Sequence, residues 1–151
     1  DSSFNIPSST LIANVQKAVD PHYNDEYAGK GLGKAPIGHV VTVVSGTALK
    51  VNIEATVEYK KSYSSQAVNP NIKTNIENYF LSLRKEWDQA DDLNNYSLKV
   101  IIARVRSAIL NTTGVENITS CKLNGALDDI TLTENETLQQ VPVVGEITIN
   151  G

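Results

Sequence analysis

Residues 49–59 read LKVNIEATVEY, and their alternation decides the fold. Leu49, Val51, Ile53, Ala55, Val57 and Tyr59 fall on one parity; Lys50, Asn52, Glu54, Thr56 and Glu58 fall on the other. Side chains along a strand point to opposite faces in turn, so this run is a half-buried strand with one wet face. Upstream lies an apolar run, His39 to Val44, followed by Ser45-Gly46-Thr47. The short turn between two β-prone runs predicts a hairpin.

Downstream, Asn69-Pro70 has the chemistry of a helix start, with Asn as cap and Pro at the first helical position. Ile72, Ile76, Tyr79, Phe80, Leu83 and Trp87 recur at helical spacing, while Lys73, Glu77, Arg84 and Lys85 lie off that stripe. Asp88 to Asn95 is polar and reads as a loop. A second amphipathic stretch runs to about Asn111 with Ile101, Val105, Ala108 and Ile109 on one face. Its β-branched beginning, Tyr96 to Ile102, also fits a short strand before the helix. Gly114 suits a left-handed helix cap.

The C-terminal third reads as strands. Val115 to Leu123 leads into Asn124-Gly125, a strong hairpin signal because both residues tolerate positive φ, and Ala126 to Leu132 is the expected return. After the polar TENETLQQ, Val143, Ile147 and Ile149 alternate with Val144, Glu146 and Thr148 as a closing strand. The buried face of the sheet is expected to carry Leu49, Val51, Ile53, Ala55, Val57, Ile147 and Ile149. At the other end, Leu11, Ile12, Val15, Ala18 and Val19 form a helical stripe, capped by Ser8, Ser9 or Thr10 and stopped by Asp20-Pro21. A helix this short is marginal without a packing partner. Residues 24–38, NDEYAGKGLGKAPIG, are a glycine-rich loop or connector. The expected fold is α+β: a mainly antiparallel sheet with two amphipathic helices on one face, plus an N-terminal helix. Residues 1–38 form the helix and connector, and residues 39–151 the α+β domain.

The chain has 151 residues, enough to bury a core without disulfide or metal, and its 40% hydrophobic content is that of a globular chain rather than a disordered one. A net charge of -4 and a pI near 5.1 speak against a general phosphate-binding surface. No apolar run approaches the ~18 residues that span a bilayer. The first ten residues lack a secretory pattern. The chain starts at Asp1 and has no methionine, and is expected to be a piece of a longer polypeptide. Cys121 is its one cysteine, expected to be a small buried residue of a strand.

Sites for chemistry are scarce. Gly33-Lys34 evokes a phosphate loop, but Ala28 stands where the first glycine belongs, Ala35 replaces the hydroxyl residue and Pro36 interrupts the helix start. Glycines that shape a connector are the better account. The histidines are His22 and His39. Asp20, His22, Asp25 and Glu26 could be a ligand set on paper, yet solvated residues beside a helix end explain them. No G-x-S-x-G elbow is present. Asp91-Asp92 and Asp128-Asp129 are adjacent carboxylates of polar loops. Lys60-Lys61 beside Tyr59 and Tyr63 is a basic–aromatic cluster that a wet strand end accounts for. N-x-[ST] triplets at Asn95, Asn111, Asn117 and Asn135 matter only in a secretory pathway. No catalytic, cofactor or metal residue is assigned.

Two stretches together resemble the baseplate J-like family of contractile phage tails and of defective prophages of the PBSX type. The first, residues 11–43, has a helix ending in Asp20-Pro21, glycines at Gly29, Gly31 and Gly33, then Ala35-Pro36-Ile37-Gly38 and a strand-like run. The second, residues 105–149, has a helix, Gly114-Val115, Leu123-Asn124-Gly125 and an ending with Pro142 and Gly145. The resemblance implies a structural, non-enzymatic role in the wedge of a tail baseplate, in a virion or phage-like particle assembled in the bacterial cytoplasm. It implies other baseplate or tail proteins as partners, with a second copy of the chain among the candidates. No nucleic acid, membrane, small-molecule substrate or cofactor is implied. The motif residues enter as backbone-shaping positions. Leu11, Val15, Ala18, Tyr27 and Pro36 are the candidate assembly surface. An extracellular surface or carbohydrate-binding module is the alternative, permitted by the Asn/Thr-rich strands.

Overall fold

The structure, a computed structural model, describes residues 3–21, 26–86, 98–135 and 138–151. Trp87, the 88–95 segment with Asp91-Asp92, Tyr96, His22 and Asp25 lie outside the described residues. The chain divides into two compact units, Asp1–Gly46 and Thr47–Gly151.

The second unit is α+β, as the sequence predicts. Its elements are β1 (Thr47–Tyr59), α2 (Ser65–Lys85), β2 (Lys99–Val100), α3 (Ile102–Leu110), β3 (Val115–Leu123), β4 (Ile130–Thr131) and β5 (Gln140–Asn150); the first unit holds α1 (Ser9–Val19). The main sheet has the order β3-β1-β5, and β2 pairs with β4 in a separate two-residue ladder. β1 and β3 are antiparallel, as are β2 and β4, whereas β5 lies parallel to β1, so the main sheet is mixed.

The alternation of β1 translates directly into burial. Val51, Ile53, Ala55 and Val57 are buried, and Leu49 and Tyr59 pack half-buried against them. Rows cross the sheet from this parity: Ile147–Ile53–Leu123, then Ile149–Ala55–Cys121. Ile147 and Ile149 are half-buried on the edge strand and pack against the same core. α2 and α3 cover that face with Val68, Ile72, Ile76, Phe80 and Leu83 from the first and Val105 and Ile109 from the second. A fully buried aliphatic or aromatic side chain contributes roughly 1.5–3 kcal/mol, so this face is the main source of the unit's stability.

Four local expectations change. α2 begins at Ser65, and Pro70 lies inside the helix. Proline there withholds one helical donor, but starting earlier adds Val68, 1% exposed, to the stripe one turn before Ile72. The Tyr59 hydroxyl also donates to Asn69 Oδ1 at 2.6 Å. Residues 39–46 form no strand, so the expected hairpin with β1 is absent. The chain does turn at Asn124 (φ 48) and Gly125 (φ 81), but beyond the Leu123–Ala126 bridge it leaves β3. Asp129 Oδ1 instead accepts from the Ile102 N–H at the start of α3 (2.8 Å), and Leu132 N–H donates to Leu98 O (2.9 Å), which draws β4 to β2. Finally, Val144 rather than Val143 joins Ile147 and Ile149 on the core, because the pairing with β1 slips by one residue after Val51↔Val144. Such a bulge reverses the parity of everything beyond it.

Ile76→Asp or Phe80→Asp should each destabilise the chain by roughly 3 kcal/mol or more, since both positions are fully buried and an aspartate there would be unpaired. Urea denaturation followed by circular dichroism measures this; midpoints unchanged from the parent chain would refute the assignment of the α2 face.

Candidate interaction surface and its polar clamps

In the first unit the Ser8 hydroxyl accepts from Leu11 N–H (3.2 Å) and starts α1. No residue of this helix is buried. Leu11, Val15 and Ala18 are exposed along it, and Tyr27 and Pro36 are exposed on the connector. Phe4, Leu32, Ile37, Val40 and Val44 add to the apolar surface of the same unit. Ala35 is its buried hydrophobic among the described residues.

Order in this unit comes from hydrogen bonds gathered at the end of α1. Asp20 is 1% exposed, and its carboxylate accepts from Gly29 N–H (3.0 and 3.2 Å) and Val41 N–H (3.0 Å). One turn earlier, the Gln16 amide donates to the carbonyls of Asp20 (2.6 Å) and Val41 (2.8 Å) and accepts from Val43 N–H (2.7 Å). The last carbonyls of a helix need outside donors; here Lys34 and Ala35 N–H groups donate to Ala18 and Val19. Gly33 passes so close to the Val19 carbonyl that a Cβ would collide with it. Gly29 is buried at φ 70, a conformation that glycine adopts without strain. Pro21 is buried beside Asp20; Gly31 (φ 68) and Gly38 (φ 86) shape the loop between, with Gly38 N–H donating to Gly29 O. The glycines therefore serve a tightly hydrogen-bonded loop, not a loose connector.

The second unit has a comparable node on the polar face of β1. Asn52 N–H donates to Asn124 Oδ1 (2.8 Å), Asn124 N–H donates to Asn52 O (2.9 Å), and Asn52 Oδ1 accepts from Glu146 N–H (2.9 Å). Gly145 lies at the bulge, where a Cβ would collide with Asn52 Oδ1. Pro142 is buried, and its carbonyl accepts from Arg84 (3.3 Å). Gly114 is buried at φ 98, and a Cβ there would meet Tyr63 and Val68 before the chain enters β3 at Val115. The structure thus gathers Asn124, Gly125 and Gly145 around Asn52, and Asp20, Gly29 and Gly33 around the end of α1. Sequence reading missed Gln16 and Asn52. Gln16 could have been found as a polar residue one helical turn before Asp20; Asn52 had no signal beyond its place on the wet face.

This geometry positions backbone; it does not assemble a reacting constellation. Among the described residues no three His, Cys, Asp or Glu side chains stand close enough to share a metal ion. An open depression of about 380 Å³ lies over Asn52, Glu54, Asn124, Gly125, Glu146 and Thr148. Burial raises the Tyr79 pKa; its hydroxyl accepts from Ile101 N–H (3.0 Å), joining α2 to the start of α3. Burial lowers the Arg84 pKa. Burial raises the Cys121 pKa against the opposing influence of Arg106. Among the described residues no helix is long and apolar enough to cross a membrane.

The second unit is thus an α+β module with a β3-β1-β5 sheet, covered by two helices and closed by a bulged C-terminal strand. Residues 51–150 match the Baseplate J-like protein C-terminal domain, and the chain belongs to that family. It is 27% identical over 143 residues to the phage-like element PBSX protein XkdT of Bacillus subtilis (strain 168), covering 95% of this chain and 36% of that protein. It is also 27% identical over 142 residues to the uncharacterized protein YqbT of the same strain, covering 94% and 35%. The chain therefore spans about a third of the length of these curated relatives.

Asp20→Ala should open the loop of the first unit, because each buried N–H left without its acceptor costs roughly 1–3 kcal/mol. Amide exchange should accelerate at Gly29 and Val41 while Ile53 and Ile72 keep their protection; unchanged exchange at Gly29 would sink the clamp. The raised Cys121 pKa means that the folded state favours the protonated thiol. Stability relative to Cys121→Ala should be constant below the ordinary thiol pKa and fall as pH rises from there towards the raised folded value, because only the unfolded thiol ionises in that window. Thermal melts of both chains from pH 7 to 10 measure it.

Proposed function

We propose that this chain is a structural building block of a contractile-phage or phage-like tail baseplate, joining the wedge through protein–protein contacts and without catalysis. The observation that carries the proposal is family membership across residues 51–150, together with similarity to the PBSX protein over nearly the whole chain. It favours this reading over an extracellular surface or carbohydrate-binding module. The setting would be a tail or phage-like particle assembled in the bacterial cytoplasm, and the partners other baseplate or tail proteins rather than nucleic acid, membrane or a small molecule. The first unit supports the use of contacts, because Leu11, Val15, Ala18, Tyr27 and Pro36 are exposed there together with further apolar side chains. A hydrogen-bonded scaffold that presents apolar side chains to solvent suits an interface, whose centre is depleted of charge.

The test is genetic. Leu11→Glu, Val15→Glu and Ala18→Glu, together in the parent gene of a particle-forming prophage, should leave the circular dichroism of the chain unchanged. Complete tails counted by electron microscopy should fall sharply, because a buried charge at the contact weakens association. Normal tail numbers from the folded variant would refute the assembly surface.

A further inference from the structure

Asn124 is followed by Gly125, the neighbour beside which an asparagine most readily loses its amide. The chemistry is intramolecular. The Gly125 backbone nitrogen attacks Asn124 Cγ; a C–N bond forms, the nitrogen's proton passes to solvent, and the side-chain amide departs as ammonia. Water then opens the five-membered imide at either carbonyl. One opening leaves aspartate; the other leaves isoaspartate, with the backbone rerouted through Cβ. Water is the only co-reactant. Glycine favours the attack because no Cβ shields its nitrogen. Both residues are exposed here, and the Gly125 N–H makes no hydrogen bond among the described residues. Both also line the open depression on the polar face of β1. Burial therefore does not stop the reaction.

Conformation does. Ring closure needs Gly125 N on the same side as Asn124 Cβ about the Cα–C bond. Asn124 has φ 48, and a residue of the left-handed region has ψ about +47°. Tetrahedral geometry then sets the next nitrogen nearly opposite Cβ. Positive φ at both residues, closed by the Leu123–Ala126 bridge, enforces that rotation. The side chain is drawn away as well. Asn124 Oδ1 accepts from Asn52 N–H (2.8 Å) and Nδ2 donates to Lys50 O (3.4 Å), while Asn124 N–H donates to Asn52 O (2.9 Å). The central strand thus holds Cγ in a position from which its nucleophile cannot reach it. The same bonds depend on the amide. An aspartate has no N–H for Lys50 O, and its charge would join Glu54 and Glu146 around the depression. An isoaspartate would lengthen the backbone of the turn by one atom.

We propose that Asn124 is a spontaneous deamidation site that folding switches off, and that the modified residue cannot rebuild the clamp between β1 and the turn after β3. A chain that folds promptly keeps its amide, whereas one that stays unfolded loses it and is marked against refolding. The residues involved all lie in the second unit, and the inference does not rest on the baseplate reading.

The test is peptide mass spectrometry on the full chain, incubated at mildly alkaline pH in buffer and in denaturing urea. Deamidation at Asn124 should be at least about tenfold slower in the folded chain, because only molecules whose turn has opened can react. Asn150-Gly151 is an Asn-Gly pair in the same digests. Asn150 ends β5, is exposed and has no positive φ, so folding should slow its reaction much less. Two glycines inserted between Gly125 and Ala126 keep the reacting pair but release the turn. With folding verified by circular dichroism, this variant should deamidate at Asn124 towards the unfolded rate. Asn124→Asp should lower the urea midpoint of the chain. Equal rates at Asn124 in folded and unfolded chains overturn the proposal. Equal slowing at both Asn-Gly pairs, or a folded insertion variant as slow as the parent, overturns the role of the turn. An unchanged midpoint in Asn124→Asp overturns the loss of the clamp.

Discussion

Every long-range pairing of the main sheet passes through one strand. β1 is hydrogen-bonded on both edges, to β3 in one direction and β5 in the other, and its odd-numbered residues from 51 to 57 are buried. A central strand cannot slip, since a shift of one residue would exchange Val51, Ile53, Ala55 and Val57 for Asn52, Glu54, Thr56 and Glu58. The positions of β3 and β5 follow from that register, as does the face to which α2 and α3 bring their stripes. β5 lies parallel to β1 on one edge and β3 antiparallel to it on the other.

Where backbone cannot meet backbone, this protein uses side-chain amides and carboxylates as substitutes, in both units. Asn52 and Asn124 exchange bonds between β1 and the turn after β3, and Asn52 also receives Glu146 N–H at the bulge of β5. Gln16 and Asp20 do the same for Gly29, Val41 and Val43. In both nodes a glycine admits the close approach, Gly145 in one and Gly33 in the other. At Gly145 the space that a Cβ would fill is taken by Asn52 Oδ1, and at Gly33 by the backbone carbonyls of Ala18 and Val19.

The face of β1, the α2 stripe from Ile72 to Leu83 and the short strand before α3 were legible because each depends on local periodicity. The start of α2 was not, since Asn69-Pro70 carries a strong local signal for a cap and only the tertiary burial of Val68 overrides it. The bulge of β5 was not legible either: Gly145 alone does not reveal that an extra residue reverses the parity of Val143 and Val144. The failure at 39–44 has a different origin. Strand propensity was read correctly there, but propensity does not identify a partner, and within the described chain that role falls to the side chain of Gln16. The polar nodes stayed hidden because hydrogen bonds across 25 to 94 residues leave no periodic trace.

The two units, each taken by itself, are held by different forces. The buried hydrophobic residues of the described chain belong to the second unit, Ala35 excepted. A core of that kind folds cooperatively and resists local opening. The first unit depends on a handful of hydrogen bonds around Asp20 and Gln16, each contributing a net ~0.5–1.5 kcal/mol, and it leaves Phe4, Leu11, Val15, Tyr27, Leu32 and Val44 exposed. Exposed apolar area is unfavourable in an isolated chain and becomes favourable once a neighbour covers it. On the proposed role, the first unit would offer its exposed apolar side chains to a neighbour, and covering them would add the hydrophobic stabilisation that its few hydrogen bonds do not supply.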